Sequence, residues 1–468
     1  MGNMIFPSSF KLSFSSIPAC FFVAVVLFSF FSDSQELREP SYWAFSLISF
    51  LMLRSVLWSN FSWFYLFVVS FFSLGNWTKV SIHHMFDYEY IEPIGRFIGS
   101  RAEWESYYIN ASTMGVTIIF VKLISFVLLN RNLSAKDYQF EKSKLGLLKY
   151  KPVENTEWFF LISMAAIFYF FNNHFGFFVT GVDSKLVLPF SLNAPLAFMA
   201  LIGIPLIFSL FVSRDVNAKG YLDIRAAFAV LCMSLFASIS MASRAAVVMQ
   251  IVPIFLAAVF VQYSMRVRRS SFKPFLLFLL FLIMVLVFVS IYRINLYTDH
   301  SVSDWDSLKF YAFESALLVV DRWVGAEAIM VAVAEPSRSL SLFYSLLTES
   351  SRQGVDSIYQ KLSGSRYVFL DGLTFLTLPG YFGVLALSGS LVFISISLFL
   401  LVMSGVLLEK MFNHFFLGQH IPVALISAAL ANSITQMSFP HLLLPFVFQA
   451  VLLALLLRYY RTVLSNLR

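Results

Sequence analysis

The sequence predicts an all-α polytopic integral membrane protein with about twelve transmembrane helices and one large, partly helical segment between them. Three observations carry that expectation. Hydrophobic residues make up 59% of the chain and charged residues 13%, with a mean hydropathy of +0.78. A soluble domain carries about 25% charged residues, so this chain lacks the polar surface to cover a soluble core of its size. Apolar runs of about 20 residues, the length a helix needs to cross a bilayer, recur along the chain. Basic residues gather in alternate connections between those runs.

The same numbers exclude other classes. A net charge of +7 reads as positive-inside loops, and no nucleic-acid partner is expected. Cys20 and Cys232 lie inside apolar runs, so neither a zinc cluster nor a disulfide is expected. The amino end carries only Lys11 and shows no cleavable signal pattern. Met1-Gly2-Asn3 begins like a myristoylation site, but Phe6 stands where Ser or Thr is needed. The first apolar run is therefore expected to remain as a transmembrane helix.

In order, the runs fall near 14–32, 41–57, 60–77, 111–130, 157–177, 195–213, 224–242, 246–264, 274–292, 379–408, 421–437 and 441–460. Arg54 lies close to where the second and third meet. The connection 131–156 carries Arg131, Lys136, Lys142, Lys144, Lys149 and Lys151. The turn 214–225 carries Arg214, Lys219 and Arg225, and 265–274 carries Arg266, Arg268, Arg269 and Lys273. The tail carries Arg458, Arg461 and Arg468. Alternation of twelve spans puts all of these in the cytoplasm, together with both chain ends. Segments 78–110, 178–194 and 293–378 then lie outside. The chain divides into 1–292 with nine helices, the large periplasmic loop 293–378, and 379–468 with three helices.

The outer segment 78–110 is acidic and aromatic, with His83, His84, Asp87, Tyr88, Glu89, Tyr90, Glu92, Trp104, Glu105, Tyr107 and Tyr108. It reads as an interfacial aromatic belt in preference to a sugar-contacting surface. His83, His84 and Asp87 are a weak metal pattern, because adjacent side chains diverge on a helix or strand.

Region 224–264 must turn. One straight helix of about 40 residues would reach about 60 Å, twice the hydrocarbon thickness. Ser240-Met241-Ala242-Ser243-Arg244 is the polar interruption available. Charge alternation puts it on the outer side, where an arginine avoids the cost of mid-bilayer burial. The bland reading of Arg244 is a residue snorkelling to headgroups.

Segment 293–378 holds Arg293, Arg322, Arg338, Arg352 and Arg366 among His300, Asp304, Asp306, Glu314, Asp321, Glu327, Asp356 and Asp371. Within it, 306–334 reads as a helix ended by Pro336, with Glu314 and Asp321 on one face. The polar stretch 348–372, with Gly354, Gly364 and Gly372, reads as a mobile flap. Asn432, Gln436 and His441 stand at the outer end of the last hairpin.

These residues suit an anionic, lipid-linked substrate. Arginine stays charged and bonds phosphate oxygens with a planar fork. If a sugar leaves a lipid pyrophosphate, negative charge grows on the departing oxygen, and fixed guanidinium groups stabilise it. The acceptor hydroxyl must lose a proton, for which His300, Asp321, Glu327 and Asp371 are the candidates. For each acid taken singly, an ion pair with a neighbouring arginine is the plainer role. The chain has no phosphate-loop, His-Glu-x-x-His or Gly-x-Ser-x-Gly motif.

Ser243-Arg244-Ala245-Ala246 lies between two helices, a large arginine-rich loop follows the ninth run, and Pro379-Gly380-Tyr381-Phe382-Gly383 leads to Ser388-Gly389-Ser390-Leu391. On these features, over roughly 235–400, the chain resembles the oligosaccharide repeat-unit polymerases, the O-antigen polymerase (Wzy-like) family. The resemblance implies a GT-C-like membrane glycosyltransferase of the bacterial inner membrane. Such an enzyme extends a glycan on undecaprenyl pyrophosphate at the periplasmic face and uses no metal or other cofactor. Its partners would be lipid-linked glycans, the bilayer and a chain-length regulator protein. Pyrophosphate contacts would fall to Arg244 and, by position in the loop, Arg293, Arg322 and Arg352 or Arg366. O-antigen ligases resemble it in architecture and place an essential histidine in the loop, where His300 and His441 are the nearby histidines. A ligase and a lipid-linked oligosaccharide carrier are the rival readings.

Overall fold

The computed structural model describes residues 8–31, 36–58, 61–90, 92–130, 151–179, 185–189, 192–264, 276–278, 280–281, 284–285, 287–289, 323–349, 357–364, 379–416 and 419–435. Among these the chain is all-helical. Four helices are long and apolar enough to cross a membrane: Arg101–Val127, Asn155–Phe175, Asn193–Lys219 and Leu391–Phe415. Their flanks expose large side chains, with Phe159 at 75%, Phe170 at 68% and Val392 at 70%. Apolar faces of that extent belong against lipid. The protein is an all-α membrane protein.

The helices are α1 (Ser8–Phe31), α2 (Pro40–Ser55), α3 (Trp63–Phe72), α4 (Lys79–Phe86), α5 (Arg101–Asn130), α6 (Asn155–Phe175), α7 (Asn193–Phe198) and α8 (Ile204–Lys219). After them come α9 (Ile224–Ser240), α10 (Arg244–Ser264), α11 (Ala326–Ala334), α12 (Leu340–Thr348), α13 (Ile358–Ser363), α14 (Gly380–Ala386), α15 (Leu391–Phe415) and α16 (His420–Thr435). Short π-helical turns, Ser73–Thr78 and Met199–Gly203, join α3 to α4 and α7 to α8. Both cysteines are free thiols.

Local signals explain the boundaries. A capping box of Glu154 and Glu157 starts α6, and Gly176 ends it in a left-handed conformation. Ser339 and Ser357 cap α12 and α13 through their side chains. Proline follows the end of α11 at Pro336, as expected.

Several expectations are corrected. The fourth span starts at Arg101, so Trp104, Tyr107 and Tyr108 belong to a membrane helix and are buried. They pack in the interior and form no interfacial belt. The run 379–408 is two helices, because Gly389 turns left-handed at φ 68° and Ser390 Oγ accepts from Phe393 N at 3.3 Å. Of the helix expected over 306–334, Ala326–Ala334 is helical and Trp323–Gly325 is not, whereas 306–322 lies outside the described residues. The stretch expected as a flap contains α13, which buries Tyr359, Gln360 and Ser363. The span expected over 274–292 is helical where described, whereas 441–460 lies outside the described residues.

By contacts the chain falls into two units. One comprises 1–140, 319–411 and 430–468, and the other 141–318 and 412–429. In the first, α2 packs along α5, and α11 packs on α14 and α5. Close approach there depends on missing side chains. A Cβ on Gly383 would strike Ala328, and one on Gly75 would strike the Val324 carbonyl. In the second, α9 packs on α6 and α10, and α10 packs on α8.

Candidate functional site

Two places hold the chemistry that the described residues offer. The first lies in the first unit. Lys79 opens α4 immediately after a π turn, a geometry that often marks functional positions. Its Nζ forms an ion pair with Glu327 Oε1, and approaches the Trp323 carbonyl at 3.4 Å. Lys79 is 0% exposed and Glu327 4%. Tyr107 Oη donates to Asn76 Oδ1 at 3.2 Å beside them. Burial pushes the Glu327 carboxyl above its ordinary value, the Lys79 ammonium opposes that, and Glu92 adds to it. Tyr359 is also buried, and its hydroxyl has no hydrogen-bond partner among the described residues. Burial and then the carboxylates of Glu327 and Glu92 hold that phenol well above its ordinary value.

Glu327 is thus paired with a lysine from a distant helix, where an arginine neighbour was expected. Lys79 gave no signal of its own, because a lone lysine after an apolar run looks like the start of a loop. Two more charges are buried in the same unit. Glu409 accepts from Ser62 Oγ at 2.5 Å, Trp63 N at 2.9 Å and Phe64 N at 2.7 Å. It thereby satisfies the free amides that open α3. Lys122 lies 5.1 Å from the centroid of the Tyr65 ring. All four of these charged side chains are buried.

The second place is the expected turn of the second unit. The chain reverses at Met241–Ser243, with Ala242 left-handed at φ 47°. Ser243 N donates to Ser238 O at 3.0 Å, and Arg244 is the first residue of α10. Ser240, Met241, Ala242 and Ser243 are buried, so this is no bare apex. Asn172 of α6 clamps it, donating from Nδ2 to Ser240 Oγ at 2.7 Å and to Phe178 O at 3.0 Å. A half-open apolar cavity of about 620 Å³ adjoins this clamp, lined by Phe160, Phe168, Phe171, Asn172, Phe177 and Leu196 among others.

At the opposite end of α6 and α9 the basic turn 214–225 is pinned. Arg214 pairs with Glu157, Arg225 Nη1 donates to Asn155 Oδ1 at 2.7 Å, and Lys219 pairs with Asp215 at 2.9 Å and Asp223 at 2.7 Å. The basic turn and the Ser240–Arg244 turn are therefore at opposite ends of one helix.

Of the expected site residues, Glu327 is described in full and Arg244 in its backbone. Arg293, His300, Asp321, Arg322, Arg352, Arg366 and Asp371 lie outside the described residues. Among the described residues no three His, Cys, Asp or Glu side chains come together as a metal site. His83 Nδ1 and Tyr88 O are 2.8 Å apart, and His84 Nε2 and Tyr108 Oη 3.0 Å. No protein-family model matches the chain, and no curated protein or solved structure matches it either.

Proposed function

We propose that this protein is a membrane glycosyltransferase that polymerises undecaprenyl-pyrophosphate-linked oligosaccharide units into a surface polysaccharide, O-antigen or a related glycan. In this reading the chain spans a bacterial inner membrane about twelve times in a GT-C-like arrangement, with both ends cytoplasmic and segment 293–378 periplasmic. The observation that carries it is the buried turn that makes Arg244 the opening residue of a membrane helix. Helix amide groups and a guanidinium there favour a pyrophosphate. The apolar cavity beside Asn172 has room for part of an isoprenoid chain.

The glycosyl–oxygen bond to pyrophosphate breaks, and the acceptor oxygen forms the new bond. The lipid pyrophosphate leaves, held by Arg244. The acceptor proton passes to His300, Asp321, Glu327 or Asp371, of which Glu327 is paired with Lys79. Arg244→Ala in the full chain should abolish extension without loss of membrane insertion, scored as glycan length on gels. Normal-length polymer overturns the assignment. Transfer to a lipid A core in place of a second repeat unit would select the ligase.

The buried charges favour one second reading, a carrier of lipid-linked oligosaccharide. Lys79, Lys122, Glu327 and Glu409 are each at most 4% exposed, and ionisable groups inside membrane proteins often line transport paths. Transbilayer movement of lipid-linked oligosaccharide in proteoliposomes, lost in Lys79→Met, would select it.

A further inference from the structure

Helix α4 ends at Phe86, and Asp87 takes a left-handed conformation at φ 51° and ψ 44°. Aspartate tolerates this region better than most residues. The kink brings the rings of Phe86 and Tyr88 together, 5.8 Å between centroids and 23° between planes. Both are open to the outside, at 54% and 45% exposure.

The turn is built, not loose. Tyr88 N donates to His83 O at 3.2 Å, and His83 Nδ1 lies 2.8 Å from Tyr88 O. The His83 ring stacks on Tyr90 at 4.0 Å and 10°. Asp87 and Glu89 flank the aromatic pair, are exposed, and enter no ion pair among the described residues.

We propose that the Phe86–Asp87–Tyr88–Glu89 turn is a binding platform for neutral glycan chains. A pyranose ring has an apolar C–H face that stacks on the negative face of an aromatic ring. Its rim of hydroxyls donates to carboxylates, which accept only. Pinned rings and flanking acids present both contacts without an ordering cost. Two exposed carboxylates disfavour phosphate and other anions by like-charge repulsion. The platform does not depend on the polymerase reading, because glycan binding here can fail while chain extension at Arg244 persists, and the reverse.

The test uses the full chain in zwitterionic nanodiscs. Maltopentaose and N-acetylchitopentaose serve as neutral probes and a hyaluronan hexasaccharide as the anionic one, read by saturation-transfer NMR and titration. Both neutral probes should receive saturation at their C–H protons. Tyr88→Ala should weaken binding about tenfold, as loss of one aromatic contact implies. Tyr88→Phe should bind as the parent does, which separates lost stacking from lost folding. Glu89→Gln should weaken the neutral probes by a smaller factor and strengthen hyaluronan. Absence of transfer to both neutral probes, equal affinity for hyaluronan, or unchanged binding in Tyr88→Ala would overturn the proposal. So would quenching of a fluorophore at Cys-substituted Glu89 by brominated lipid tails, which would make the turn a membrane anchor.

Discussion

Two sets of ion pairs in this protein share their chemistry and differ in setting. Lys79 and Glu327 meet with side-chain exposures of 0% and 6%, whereas Arg214 and Glu157 meet at 33% and 36%. Water screens the second pair, so its formation and loss differ little in free energy. The first has given up hydration on both sides. Removing one partner leaves a charge with nothing to solvate it, while removing both leaves an apolar gap that nearby methyl groups can fill. A buried pair therefore records a commitment of the fold, whereas a screened pair contributes little to it.

That contrast can be tested from its largest expected effect downward. Glu327→Ala should cost about 3–5 kcal/mol, read as thermal unfolding of the detergent-solubilised chain. The double change Lys79→Met with Glu327→Leu should recover most of it. If the double variant is no better than the single, the pair does more than balance charge. Asn172→Leu should cost about 2–3 kcal/mol by stranding the buried Ser240 hydroxyl. A cysteine placed at Ser243 should then label faster from outside, since the clamp on the turn is gone. Unchanged labelling would show that Asn172 does not hold it.

His84 tests a buried neutral group. Burial lowers its pKa from 6.5 to about 4, against the pull of Glu36 and with help from His83. The unfolded chain binds the proton more readily in that window, so the stability this histidine contributes is intact above about pH 6.5 and is lost as pH falls toward about 4. The loss should be up to about 3 kcal/mol, and His84→Gln should flatten that part of the pH profile. An unchanged profile would mean that another group titrates. Smallest of all, Arg214→Ala should cost less than about 1 kcal/mol, and less still at high salt. A cost comparable to that of Glu327→Ala would erase the distinction between the two settings.

The comparison also explains what could be read in advance. Helix period and length found α2, α6, α8, α9 and α10, because an apolar run that crosses a bilayer leaves a signal within its own residues. The turn before Arg244 was legible for the same reason, since a run twice the bilayer thickness must fold back. Trp104, Tyr107 and Tyr108 misled, because an aromatic ring suits an interface and a packed interior equally well. Nothing near Lys79 announced Glu327.

The chain by itself thus determined its all-α class and its membrane setting, both of which follow from local hydrophobicity. Tertiary structure alone decided which lone charges are partnered, which glycines let backbones touch and which aromatic residues remain exposed at Phe86 and Tyr88. Those outcomes rest on contacts between residues far apart in sequence, and neither periodicity nor composition carries that information.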